Sequence, residues 1–188
     1  MKRFTTGLIF FFVLGIQILS IQVVSVQAQE AVAVAALQDN TGAELGTVTF
    51  TDTPEGLEVT VAVSGLPTGK RGFHVHTMGD CAASINDQGM EVMHGAAGAH
   101  FDPYETENHA GPEVDSQTGH AGDLPNLEVA EDGTASVTFI TTKMTVAEGE
   151  TSLVGRSIMV HANEDNYTNE PANGGSGDRI ACGVIELQ

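Results

Sequence analysis

The chain has 188 residues, with 25 acidic side chains against 7 basic ones, a formal net charge of −18 and no tryptophan. That balance excludes a nucleic-acid binder, which needs a basic footprint, and it would repel an anionic lipid surface. Short Val-, Ile- and Leu-rich runs exclude wholesale disorder, and no internal repeat of fixed period is visible.

Residues 1–28 read as a secretory signal peptide and are set apart from the fold. Lys2 and Arg3 form a positive start, Leu8 to Leu19 (LIFFFVLGIQIL) an apolar run, and Val26-Gln27-Ala28 a small-residue cleavage site. An uncleaved anchor is the rival, and Gln17, Gln22 and the Ala28 site speak against it. Residues 29–188 then form one domain carrying 5 basic minus 25 acidic residues, or −20. The expectation is an exported protein, periplasmic or secreted, with no stable membrane contact once the leader is gone.

From Ala31 the pattern is that of strands. AVAVAAL (31–37), GTVTF (46–50) and LEVTVAV (57–63) alternate and are β-branched, with Asp52-Thr53-Pro54-Glu55-Gly56 as a turn between the last two. FHVH (73–76), LEVA (127–130), TASVTFI (134–140), SLVGRSIMVH (152–161) and RIACGVIEL (179–187) complete about eight strands. Thr145 to Gly149 is the one weak helical candidate. The fold class is therefore all-β, a Greek-key sandwich or flattened eight-stranded barrel. Two long loops, 77–124 and 162–178, each begin directly after a histidine-bearing strand, as a metal site on a rigid frame would require.

Six histidines follow a ligand-like order. His74 and His76 sit two apart, so a strand projects both from one face while Phe73 and Val75 take the other. His100, His109, His120 and Asp123, at spacings of 9, 11 and 3, could close a four-coordinate N3O site around zinc. His161 ends a later strand. Imidazole-rich sites suit copper and zinc, so the residue types allow one position for each. Cys81 and Cys182 are the only cysteines. In an exported chain that pair reads as a structural disulfide, since no CxxC spacing supports a redox role.

Taken in order, GFHVH, the Cys81 loop, GAHFDP, NHAGP, GHAGDLPNL, GRSIMVH and DRIACGVIE resemble the copper, zinc superoxide dismutase family across nearly the whole mature chain. The leader, the stretch from Cys81 to His100 and DNYTNEP resemble its exported bacterial form. The resemblance implies one copper held by His74, His76, His100 and His161, and one zinc held by His100, His109, His120 and Asp123. His100 is then the bridge. It implies that Asp165 links a ligand on each metal, His74 and His109, and that Arg179 guides the superoxide anion to copper. The implied reaction is dismutation of superoxide to dioxygen and hydrogen peroxide by alternating Cu(II)/Cu(I) redox, with His100 leaving copper on reduction and supplying a proton. Monomer and homodimer both stay open.

Two departures stand out. His94 has no matching ligand role and reads as a flexible loop histidine. The second loop lacks the lysine found near the active-site mouth in many relatives and carries Glu164, Glu170 and Asp178 instead. A metal-binding relative without catalysis, and a purely structural sandwich, are the rival readings. The complete ligand order together with Arg179 weighs against both.

Overall fold

A computed structural model describes residues 31–188; the expected leader lies outside them. Twelve strands are present: β1 Val32–Asp39, β2 Glu44–Thr53, β3 Gly56–Val63, β4 Gly69–Arg71, β5 Phe73–His76, β6 Ser84–Ile85, β7 Glu91–Val92, β8 Leu127–Val129, β9 Ala135–Thr141, β10 Ser157–His161, β11 Arg179–Val184 and β12 Glu186–Leu187. The eight expected strands are all there, and the additional four are two or three residues long. The main sheet is antiparallel and runs β5-β10-β11-β1-β2-β3-β9, with β12 also on β1. Pairs β4–β8 and β6–β7 stand apart from it.

Alternation places the core. In β3, Leu57, Val59, Val61 and Val63 point inward, opposite Val48 and Phe50 of β2 and against Phe73, Val75, Ile158 and Val160. Phe50 and Phe73 are fully buried, each contributing about 1.5–3 kcal/mol by removal of apolar surface from water. All four residues of β5 and all five of β10 are buried. Their second faces are covered too, by the long loops.

Two expectations are corrected. Thr145–Gly149 is not helical, because the Asp52 carboxylate captures it. The amides of Val146 and Ala147 and the Thr145 hydroxyl all donate to Asp52, at 2.9, 2.8 and 2.7 Å. Among the described residues the only helical pieces are 3-10 turns at Gly95–Ala97 and Ala172–Gly175. The strand expected over 152–161 starts only at Ser157, since Gly155 turns the chain with φ +76°.

The first long loop does not hang free. Strand β5 is the end of the sheet, and the loop zips along its open edge, where bare amides would otherwise face solvent. Thr77 donates to Ala99 (2.9 Å), Phe101 to Val75 (2.8 Å), Val75 to Gly122 (2.9 Å) and Leu124 to Phe73 (3.3 Å). Gly122 is required there, since a Cβ would collide with the Val75 carbonyl. Cys81 and Cys182 form a disulfide that pins the loop to β11 across 101 residues. Closing a loop of that size stabilises by roughly 4–5 kcal/mol in the chain-entropy account.

Candidate metal centre

The register of β5 on β10 sets one half of the site. Met159 lies opposite His74 and Ser157 opposite His76, which puts His161, two residues past Met159, on the same face. The loop pairing sets the other half. Backbone bridges seat His100 beside His76 and Asp123 beside His74. Four ligand atoms from His74, His76, His100 and His161 fall within 4.8 Å of one another, as do four from His100, His109, His120 and Asp123. His100 belongs to both groups. The chain thus brings together every ligand residue that the sequence singled out.

Hydrogen bonds decide which nitrogen of each ring faces inward. His76 donates through Nδ1 to the Gly98 carbonyl (2.9 Å) and His161 through Nδ1 to Gly177 (3.1 Å). Their Nε2 atoms then meet at 3.3 Å. Asp165 receives Nε2 of His74 on one oxygen (2.7 Å) and Nε2 of His109 on the other (2.8 Å), tying one ring of each group to a single carboxylate. Nδ1 of His74, Nε2 of His100, and Nδ1 of His109 and His120 are buried without a hydrogen-bond partner. Asp123 faces the second group, 2.9 Å from His100 Nδ1, 3.0 Å from His109 Nδ1 and 3.5 Å from His120 Nδ1. Buried lone pairs left bare by protein and converging on two points are what metal cations satisfy, with outer partners fixing each ring. One group offers four imidazoles, as copper prefers, and the other three imidazoles and a carboxylate, as zinc accepts. The residues fit both ions.

Electrostatics agree. Burial holds His74 and His76 well below the ordinary imidazole value and lowers His100 as well. It takes His161 down to about 4. These rings stay neutral, the form that ligates. His109 goes the other way, to about 9: burial opposes its charge, but Asp123 and Asp165 outweigh it. Burial likewise pushes Asp123 and Asp165 up, yet the imidazoles around them keep both far down in their charged form.

Arg179 donates Nη1 to the His94 carbonyl (2.7 Å) and Nη2 to the Gly98 carbonyl (2.6 Å). Its charge contributes to the lowering of His76 and His161, which places it beside their group. His94 is not a flexible loop residue. It is 6% exposed, and Nδ1 donates to the Cys81 carbonyl at 2.8 Å. Sequence reasoning missed its packing because the partner lies across a disulfide-held loop. It also missed Asn126, whose amide oxygen accepts from Asp165 N and whose Nδ2 donates to Asp165 O, both at 2.9 Å. Asn169 holds the His109 amide at 2.8 Å. Gly174 gives room for this linkage, since any Cβ there would run into Asp165 Oδ1. Glu164 is half-exposed and pairs with Lys70 at 3.1 Å.

Fold and donor set together define a β-sandwich protein with two adjoining metal positions sharing one imidazole. The family model described as Copper/zinc superoxide dismutase (SODC) matches residues 44–185. The chain is 43% identical over 152 residues to "Superoxide dismutase [Cu-Zn]" of Deinococcus radiodurans, covering 81% of this chain and 82% of that protein. The structure matches the Cu/Zn superoxide dismutase from Brucella abortus at 41% identity and TM-score 0.74, over 82% of this chain and 99% of that one. It also resembles a SOD-like protein from Bacillus subtilis at 25% identity and TM-score 0.66, over 80% and 95%. The chain belongs to the copper/zinc superoxide dismutase family, whose metals are copper and zinc and whose substrate is superoxide.

Proposed function

We propose that His74, His76, His100 and His161 hold copper and that His100, His109, His120 and Asp123 hold zinc, for dismutation of superoxide to dioxygen and hydrogen peroxide. The observation that carries this is His100, common to both groups, with Nδ1 against Asp123 and Nε2 bare toward the other group. Bound copper supplies one-electron redox chemistry, and bound zinc supplies fixed positive charge.

The protein's own residues do the rest. Asp165 keeps protons on Nε2 of His74 and His109, so their Nδ1 lone pairs point inward. Gly98 and Gly177 do the same for His76 and His161 through the opposite nitrogen. His100 Nε2 is a buried basic atom with no protein partner, suited to hold one of the two protons that peroxide formation consumes. Arg179, fixed by two carbonyls, presents its remaining guanidinium edge to the anion. Every donor comes from one chain, so a single subunit is a complete site. The disulfide supports export to an oxidising compartment, in line with the leader read from the sequence.

The test is metal analysis of the purified mature protein with a dismutation assay on wild type and His161→Ala. The expected result is one copper and one zinc per chain, with the variant inactive, copper-poor and zinc-replete. Full activity in His161→Ala, or a doubly loaded wild type that does not dismutate, overturns the assignment.

A further inference from the structure

We infer that the imidazole of His94 is a positioning residue for Arg179, and so sets how well the site takes an anion; the inference rests on the reading of Arg179 just given. The two carbonyls that receive the guanidinium belong to His94 and Gly98, which flank the 3-10 turn Gly95–Ala97. The Gly98 end is fixed from inside the site, because the same carbonyl also accepts Nδ1–H of His76. The His94 end has no tie to the site: besides Arg179 its carbonyl accepts the Ala97 amide at 3.2 Å, a bond within the same turn. It sits at φ +54°, ψ +24°, a left-handed backbone that residues with a Cβ rarely adopt.

The imidazole holds that end. Nδ1–H donates to the Cys81 carbonyl at 2.8 Å, and the neighbouring amide of Ala96 donates to Ala82 at 3.1 Å. Cys81 is in turn bonded to Cys182 of β11, the strand that begins at Arg179. A closed circuit results, from the Arg179 guanidinium through the His94 carbonyl, its ring, the Cys81 carbonyl and the disulfide back to the strand that carries Arg179. Besides the Arg179 guanidinium and the disulfide themselves, the imidazole bond is the side-chain link of this circuit. His94 Nε2 is buried and unpartnered. That is a cost an apolar residue of similar size would avoid, and the Nδ1–H bond to Cys81 is what the ring supplies against it.

The decisive variant is His94→Gly, which keeps the left-handed backbone and deletes the tether. Two readouts are taken on protein whose metal content and disulfide are verified. One is azide affinity of the copper- and zinc-loaded enzyme; the other is solvent exchange of the Arg179 guanidinium protons by NMR on metal-free protein. We expect azide binding and kcat/KM for superoxide to fall about 3- to 10-fold, the equivalent of one hydrogen bond, with kcat less affected. Guanidinium exchange should quicken. His94→Asn, which tolerates the left-handed backbone and keeps an N–H donor, should recover part of the loss. In an Arg179→Met background the His94→Gly change should add nothing to azide affinity. If His94→Gly matches wild type in both readouts, the inference fails. It fails equally if the variant loses copper or the disulfide, since the ring would then be general scaffolding. Should Arg179→Met alone leave azide affinity unchanged, the fault lies with the role given to Arg179 and not with His94.

Discussion

The buried ammonium of Lys143 donates to the carbonyl of Asp123 at 3.0 Å and to that of Gly111 at 2.9 Å. Lys143 is 4% exposed, and burial lowers its pKa. One cation thus clamps both ends of the loop that contributes His120 and Asp123, from beneath it. Replacing Lys143 with Met keeps the stem and removes both bonds. We predict a stability loss of roughly 1–3 kcal/mol, part of it offset because the ammonium no longer has to be desolvated. Zinc should bind more weakly while copper stoichiometry holds. Chelator competition for zinc is the check, and unchanged zinc affinity would refute the clamp.

Asp165 serves both groups at once. In Asp165→Asn one carboxylate oxygen becomes an NH2 that cannot accept from an imidazole N–H, so one of the two rings is released. We predict a loss of about 10- to 100-fold in metal affinity, as is usual when an outer partner of a ligating histidine is removed. Isothermal titration of metal-free protein with each ion reads it. Affinities within twofold of wild type for both ions would count against the linkage.

Metal-free protein should weaken on acidification. Burial holds His74, His76 and His100 below 6.5 and takes His161 to about 4. The unfolded chain binds protons near 6.5, which the native rings refuse, so stability falls as pH drops from 6.5 toward 4. His109 has the opposite sign: raised to about 9, its contribution is present below 6.5 and lost as pH rises toward 9. Four lowered rings against one raised ring decide the direction. Urea midpoints of metal-free protein at pH 7 and pH 5 are the measurement, and a midpoint that rises at pH 5 contradicts this balance.

Substrate capture should be insensitive to salt. Residues 31–188 carry 24 of the chain's 25 acids, among them Glu164, Glu170 and Asp178 of the second loop. Lys70 pairs with Glu164, so that acid is partly answered, whereas Asp178 and Glu91 line a common cavity with Arg179. Repulsion between an acidic surface and superoxide is screened beyond about 10 Å at 0.1 M salt. We predict that kcat/KM stays level or rises modestly from about 10 to 500 mM ionic strength, a range over which screening tightens several-fold. A steep fall would mean that attractive steering dominates.

Local pattern and family resemblance made much of this legible. The two-residue spacing of His74 and His76 already fixed a common face, and clustering exposed His100 to Asp123. Asp165 was named through resemblance alone, because its partner His74 is 91 positions away and no local period reports such a contact. Lys143 and Asn126 were invisible for the same reason: what they hold are backbone groups of distant segments. His94 was misjudged because polarity and position suggest a loop, while its burial depends on a disulfide that brings Cys81 beneath it. Thr145–Gly149 lost its helix to Asp52, also more than ninety residues away.

The way the metal face is stitched bears on the order of assembly. Strands β1, β2 and β3 form successive hairpins whose partners are close in sequence. The metal face, by contrast, depends on His76 meeting Ser157, His74 meeting Asp165 and Cys81 meeting Cys182, separations of 81, 91 and 101 residues. Closure over such spans must be met before any contact there repays it, and non-local pairing is what slows folding. The hairpins should therefore acquire exchange protection first, with β5, β10 and the disulfide loop following, a sequence that pulse-labelled hydrogen exchange can time. An ion arriving during synthesis would meet His100, His109, His120 and Asp123 within one loop, whereas the group of His74, His76, His100 and His161 comes into being only at the final seam, so its loading is an event of the nearly finished protein.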